Sequence, residues 1–304
     1  MICYFIDHLS NNKKEQDLAE LSLSHKISKF LDDKNSISLI TCHRIEYYTD
    51  ENSIDNKSLE NLFKNFKKIS NPAEVYLRLF KIALGLESQI IGENSIFKQT
   101  SQSIQAYLYN NPQEKVWMDI LSNAKKTRDL FQFWSKNHGQ LIFDHIKKSE
   151  AKTIIFFGAG SLNQSIISSL DFNTEYESTI LVTRNIKKAK KCFSSRNTHI
   201  NIVAIENINE NLLAKPYDIF IATDRLDNAS KKIIASLCEK KECLNVVDVS
   251  SSPIPEIEKM TKNYFSMYSK NTSELVKENN IKLEEKKVRL LNYLNSMDNN
   301  WYIH

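Results

Sequence analysis

The sequence predicts an α/β protein: an N-terminal α/β domain, a Rossmann-like domain built on a doubly wound parallel sheet, and a long C-terminal helix. Three observations carry this prediction. From Thr153 onward, short apolar runs alternate with helix-length segments, the pattern of strands joined by crossover helices. The first of those runs ends in a Gly158-Ala159-Gly160 turn. The stretch from Asn271 to Asn300 is charged, helix-periodic and free of glycine and proline.

In chain order, ICYFI at 2–6 reads as a strand and Lys14 to Leu31 as a helix. SISLIT at 36–41 is a second strand, and Leu59 to Ile69 is read as a helix. Pro72 sits where a helix can begin, because its missing N–H would be unsatisfied there anyway. AEVYLRLFKIALGL, SIFKQTSQSIQAYLYNN and a segment starting near Val116 follow as helices. Composition shifts near Lys148. TIIFF, STILV, INIVAI, YDIFIAT and LNVVDVS then supply five buried-type strands, with SLNQSIISSL as the helix after the first. The expected domains are therefore 1–147, 148–268 and a long helix over 269–304.

The chain has 304 residues, 41% hydrophobic and 26% charged, which suits a soluble globular protein of about two domains. No run approaches the ~18 apolar residues of a membrane span, and MICYFIDHLSNN lacks the features of a leader. A cytoplasmic location, with no membrane partner, is expected. The five cysteines, Cys3, Cys42, Cys192, Cys238 and Cys243, fit neither a zinc clip nor a disulfide framework, so reduced thiols and no metal are expected. The net charge of +4 permits a polyanionic partner without requiring one. Only five glycines occur, and four of them, Gly85, Gly92, Gly158 and Gly160, fall in two short segments. So sparing a use points to places where the backbone requires glycine.

Three segments carry candidate chemistry. The first is TCHRIEYY, Thr41 to Tyr48, directly after a strand. Cys42 at a strand end can be held at a cleft, and Arg44 and a protonated His43 would raise its thiolate fraction. Arg44 could instead pair with a substrate carboxylate. A buried cysteine beside a salt bridge gives the same string. The second is GLESQIIGENSIFKQ, Gly85 to Gln99, in which Ser88, Glu93 and Gln99 are candidate polar contacts. Glu93 lies at a helix start, where the dipole favours a carboxylate. Two packed helices with a cap would look alike.

The third is TIIFFGAGSLNQSIISSL, where a glycine turn and a helix N-terminus would receive a pyrophosphate at Gly158, Ala159, Gly160, Ser161, Leu162 and Asn163. Asn163 stands where the fingerprint has its third small residue. The next strand ends in Thr183-Arg184-Asn185, and Arg184 suits a 2′-phosphate better than ribose hydroxyls, which favours NADPH. Thr223 and Asp248, at later strand ends, are further cleft candidates. A Rossmann-like domain without nucleotide remains an open reading of the same pattern.

TCHRIEYY and RLFKIALGLESQIIGENSIFKQ together resemble the two signature blocks of glutamyl-tRNA reductase, and the resemblance continues through the nucleotide domain into the long helix. It implies a glutamyl-tRNA-recognising catalytic domain at the N-terminus, with NADPH as cofactor. Cys42 would attack the ester of glutamyl-tRNA to form a thioester that is reduced to glutamate-1-semialdehyde, a first step towards tetrapyrroles. Arg44 would recognise the glutamate, while Thr41, Glu46, Ser88, Glu93 and Gln99 shape the site. An aminomutase that takes up the semialdehyde is an implied partner. Three departures stand out. Arg78 replaces a histidine and His43 an asparagine. The chain also ends near Trp301, largely without the helical dimerisation domain that the resemblance implies, which leaves a homodimer open. Two other classes compete: a catalytically weakened homologue that binds tRNA, nucleotide or a true reductase, and an NADP-dependent oxidoreductase of small molecules. TCHR argues against the last.

Overall fold

The computed structural model describes residues 1–7, 35–41, 44–50, 66–170, 175–193, 200–208, 215–223, 226–250, 254–261 and 263–296. The helix expected over Lys14 to Leu31 lies outside them. The chain divides into two compact units, 1–137 with 276–304, and 138–275.

The first unit holds an antiparallel sheet of β1 (Ile2–Asp7), β2 (Ser36–Thr41), β3 (Arg44–Thr49) and β4 (Lys67–Ile69), in the order β2-β3-β1-β4. β3 is a full central strand, paired along its length with β1 and β2. Its Ile45, Tyr47, Tyr48 and Thr49 are the β-branched and aromatic types that suit a pleated, packed surface. β4 corrects the sequence reading: Lys67–Ile69 pairs with Phe5–Cys3 of β1 and is not the end of a helix. Ile69 packs on the core, while the two lysines are exposed on the edge strand.

α1 (Pro72–Leu84) starts as expected at Pro72, with the Asn71 side chain accepting from the Ala73 N–H at 3.0 Å. It ends at Gly85, in the left-handed region at φ 77°. α2 (Asn94–Asn110) and α3 (Val116–Leu130) follow as read. Leu79, Phe80 and Ala83 of α1 pack with Cys3, Phe5 and Tyr48 of the sheet around the fully buried Trp117 of α3.

The second unit opens with α4 (His138–Ile146), which precedes the composition shift near Lys148. Its Ile142, Phe143 and Ile146 nevertheless belong to this unit's core. The sheet comprises β5 (Thr153–Phe157), β6 (Ser178–Val182), β7 (Ile200–Val203), β8 (Tyr217–Ile221), β9 (Cys243–Asp248) and β10 (Tyr264–Ser266). All pairs are parallel, in the order β10-β9-β8-β5-β6-β7. The crossovers contain α5 (Ser161–Ser169), α6 (Ile186–Phe193), α7 (Asn228–Cys238) and α8 (Pro255–Met260). This is the doubly wound arrangement that the alternation predicted, with its order reversing between β5 and β8. β10 is a sixth strand, too short at three residues to stand out in the sequence. The long helix, α9 (Lys270–Asn295), is continuous as expected. From Val276 onward it belongs to the first unit, where Leu283 and Leu290 enter the core.

Candidate functional site

Antiparallel register places six side chains of β1 and β3 on one face of the sheet. Asp7 lies opposite Arg44, Phe5 opposite Glu46, and Cys3 opposite Tyr48. Four charges meet there in the interior. Glu46, Arg44 and Asp7 are 0%, 1% and 2% exposed, so their charges must be neutralised by one another. Arg44 reaches Glu46 Oε1 through Nη1 at 3.2 Å. Arg78, projecting from α1, donates from Nε to Glu46 Oε2 at 3.1 Å and from Nη2 to Glu46 Oε1 and Asp7 Oδ2, each at 2.7 Å. Its guanidinium also lies 3.5 Å from the centre of the Phe5 ring. Two guanidinium groups thus balance two carboxylates.

This network explains the departure at position 78. Burial alone would lower the Arg78 pKa, but the adjoining Glu46 and the hydrogen bonds to Glu46 and Asp7 raise it, so the group is a fixed cation. Tyr48 donates its hydroxyl to Glu46 Oε2. Burial, followed by the Glu46 charge, raises both the Tyr48 hydroxyl and the Cys3 thiol well above their ordinary range. Cys3 is therefore held as a thiol and is no rival nucleophile.

Arg44 does more than balance charge: its Nη2 donates to the backbone carbonyl of Glu87. That bond joins the two signature blocks through residues 43 positions apart in the chain. Thr41 is half-buried at the end of β2, facing Arg44 across the hairpin. The two residues between them, Cys42 and His43, lie outside the described residues. Arg44 is thus buried, with the Glu46 carboxylate and the Glu87 carbonyl as partners.

The second block forms a tight loop between two glycines in the left-handed region, Gly85 at φ 77° and Gly92 at φ 69°. A Cβ on Gly85 would lie 2.9 Å from the Gly92 Cα, so the two backbones meet where no side chain fits. Gly92 N–H donates to the Gly85 carbonyl at 3.0 Å. Ser88 is half-buried in this loop, and Glu93 closes it at the N-cap of α2, accepting from the Ser95 hydroxyl. Burial raises the Glu93 pKa, with Ser95, Arg44 and Arg128 pulling the other way. Gln99 is exposed, further along α2.

Arg128 was not legible in the sequence. It is buried and donates to the carbonyls of Ala83 (2.9 Å), Glu93 (3.0 Å) and Gly92, while its guanidinium stacks 3.9 Å from the Trp134 ring. Burial pushes its pKa down to about 9. Its partners lie 35–45 residues away, and no local spacing announces them.

In the second unit, Gly158 follows β5 at φ 95°, where a Cβ would lie 2.9 Å from the Thr223 Cβ and 3.1 Å from the Ala222 carbonyl. The first glycine of the turn is thus required by the approach of the β8 end, at the point where strand order reverses. Gly160, by contrast, has ordinary backbone angles and open space around its missing Cβ, 3.8 Å from the nearest atom. It is the N-cap of α5 without a side-chain cap, and Gly160 and Ser161 are exposed. An exposed helix start behind an uncrowded glycine fits a pyrophosphate. Arg184 is exposed beyond β6 and Thr183 half-buried. Asp227, capping α7, is held low mainly by the backbone N–H of Ser230, with a smaller contribution from Arg184.

Three sequence-named residues have side chains turned to the fold instead. Asn163 is fully buried and donates to the carbonyls of Phe157 (3.1 Å) and Gly158 (2.7 Å), bracing the glycine turn from beneath. Leu162 lies against Gly139 of α4, where an added Cβ would come within 2.7 Å of it. Asp248 accepts from Ser250 and from the Ile254 N–H, which ties down the chain after β9.

Comparison with known proteins agrees with the pairing of the two blocks. Residues 7–129 match the family model for the N-terminal domain of glutamyl-tRNA reductase. The chain is 25% identical over 298 residues to Protein nfe2 of Rhizobium meliloti, covering 92% of this chain and 94% of that protein. It is 24% identical over 268 residues to glutamyl-tRNA reductase of Thermosipho melanesiensis, covering 84% of this chain and 68% of the reductase. For other glutamyl-tRNA reductases that it matches, the chain spans 43–57% of their length. Among solved structures, glutamyl-tRNA reductase from Methanopyrus kandleri aligns at 15% identity with a TM-score of 0.47, covering 95% of this chain and 76% of that one. The chain is thus similar to glutamyl-tRNA reductases, with residues 7–129 matching their N-terminal domain and 84% of the chain aligning with one of them at 24% identity.

Proposed function

We propose that this protein is an NADPH-dependent oxidoreductase that converts glutamyl-tRNA to glutamate-1-semialdehyde, feeding tetrapyrrole synthesis. The observation that carries this reading is the Arg44 bond to the Glu87 carbonyl, which brings Thr41 at the end of β2 and the Ser88–Glu93 loop to one site. Cys42 follows Thr41 directly and is the proposed nucleophile. Its thiolate attacks the ester carbonyl of glutamyl-tRNA. The bond to the terminal ribose oxygen breaks, that oxygen leaves with a proton as a tRNA hydroxyl, and a thioester forms. NADPH, when bound, supplies the hydride that takes the acyl carbon to the aldehyde, with the Cys42 sulfur as leaving group.

The protein's own residues prepare this step. Arg44 fixes the loop and offers its remaining N–H donors to the glutamyl carboxylate, while Glu46 holds Arg44. Ser88 and Glu93 line the approach of the aminoacyl group. For the cofactor, Gly158, Ala159, Gly160 and the N-terminus of α5 would hold the pyrophosphate, with Arg184 and Thr183 at the 2′-phosphate and Thr223 beside Gly158. A soluble cytoplasmic setting and an aminomutase that receives the semialdehyde complete the proposal.

A second reading has one observation in its favour. Arg78 occupies both oxygens of Glu46 and one of Asp7, leaving a fixed cation where the resemblance implies a titrating imidazole. On that reading the protein binds tRNA or nucleotide as a regulatory partner without reducing the ester. Incubation with glutamyl-tRNA and NADPH separates the two. Semialdehyde from the parent and none from Cys42→Ser supports the reductase, whereas nucleotide binding without semialdehyde supports the regulator.

A further inference from the structure

The Gly85–Glu93 loop is held on a second side, by the long helix, through residues nearly two hundred positions later in the chain. Asn280 of α9 accepts from the Ile91 N–H through Oδ1 at 3.0 Å and donates from Nδ2 to the Gln89 carbonyl at 2.9 Å. One side-chain amide thus satisfies a donor and an acceptor of the loop, as a neighbouring strand would. Asn279 donates to the Ser135 hydroxyl at 2.9 Å. Ser135 in turn donates its N–H to the Gly92 carbonyl at 2.7 Å and accepts from the Asn94 N–H at 2.9 Å. Consecutive helix positions point about 100° apart. The Asn279–Asn280 pair therefore grips two different segments. Asn280 holds the backbone of Gln89 and Ile91. Asn279 holds the side chain of Ser135, whose own backbone bonds to Gly92 and Asn94.

Core packing prevents this grip from sliding. Val276, Leu283 and Leu290 are buried at intervals of seven along α9, and Tyr293 packs 5.2 Å from Phe131. Ile91 is itself buried, so its N–H would lose its partner without gaining water if Asn280 were removed. The loop already carries two left-handed glycines and has no regular secondary structure of its own between them.

We propose that Asn280 is a positioning residue for aminoacyl recognition: it holds Gln89 to Ile91 in register so that Ser88 and Glu93 face the glutamyl group. This rests on the reading of the loop as the glutamyl-tRNA site. The test uses the full chain with Asn280→Ala and Asn280→Asp. Three quantities are read: amide exchange over residues 86–94, affinity for glutamyl-tRNA, and affinity for the same tRNA uncharged. In Asn280→Ala, exchange over 86–94 should accelerate and glutamyl-tRNA affinity fall about tenfold, the loss expected from one unmet buried bond. Affinity for uncharged tRNA should stay within about twofold. A general structural defect would weaken both tRNAs alike.

Asn280→Asp serves if the alanine variant does not fold. Its carboxylate keeps the Ile91 bond but cannot donate to Gln89, whereas the protonated acid can do both. Its glutamyl-tRNA affinity should approach that of the parent near pH 5 and fall as pH rises, with no such trend in the parent. Unchanged exchange and affinity in Asn280→Ala overturn the inference. So does an equal loss for both tRNAs, or a pH profile of Asn280→Asp parallel to the parent. These readouts require no turnover. A parent that binds glutamyl-tRNA but never reduces it removes the reductase reading and leaves this one standing.

Discussion

Arg78 grips Glu46 through two hydrogen bonds, Nε at 3.1 Å and Nη2 at 2.7 Å, in the interior between α1 and the first sheet. A third, to Asp7, makes this one side chain the counter-ion of two buried carboxylates. Replacing Arg78 with Met should cost about 3–5 kcal/mol, the usual consequence of removing one partner of a buried ion pair. Urea denaturation at pH 7 measures this. A loss below ~1 kcal/mol would mean that water reaches the cluster.

The glycine turn of the second unit separates fold from ligand. Gly158→Ala meets Thr223 and forces a left-handed alanine, so it should destabilise the protein by about 1–3 kcal/mol. Gly160→Ala has room and ordinary angles, so stability should change by no more than about 0.5 kcal/mol. Its methyl group would still crowd an approaching pyrophosphate, and NADPH affinity should fall by about tenfold. Melting curves and nucleotide fluorescence titrations distinguish these outcomes. A Gly160→Ala variant with unchanged NADPH affinity would take the cofactor away from this turn.

Arg184 is the proposed source of preference for the phosphorylated nucleotide. Arg184→Ala should weaken NADPH by about tenfold and leave NADH nearly unchanged. Equal effects on both would assign it to Asp227 alone.

Parallel strands were legible because each is a short run of β-branched and aromatic residues bounded by polar turns. Pro72 and Gly85 likewise mark the two ends of α1. What escaped notice has a common cause. Arg78 finds its partners 71 and 32 residues away, and Asn280 finds Ile91 at a separation of 189. Neither contact leaves a periodicity to read. At Asn163 the signal was present but read for its departure from a fingerprint, whereas the residue is buried and braces the turn. Lys67–Ile69 was misread because apolar spacing alone does not register an open strand edge waiting on β1.

Asp218 predicts a pH dependence outside the candidate site. It is fully buried in β8 and accepts from Asn245 and Ser149 at 2.8 Å and from Tyr176 at 2.9 Å. Burial raises its pKa despite these bonds. The native state then keeps its proton to higher pH than the unfolded chain does. This contribution to stability should therefore decline as pH rises from the ordinary carboxylate range to the raised value, and level off above it. Denaturation midpoints across pH 4–8 test this against Asp218→Asn, in which that decline should be missing.

The proposed reaction requires that Cys42 become acylated. The protein is mixed with glutamyl-tRNA without NADPH, quenched in acid, digested and examined by mass spectrometry. A glutamyl adduct is expected on the peptide containing Cys42, lost after treatment with hydroxylamine and absent from Cys42→Ser. Semialdehyde formation on addition of NADPH with the same yield from Cys42→Ser, or a parent that binds glutamyl-tRNA yet never carries the adduct, would contradict it.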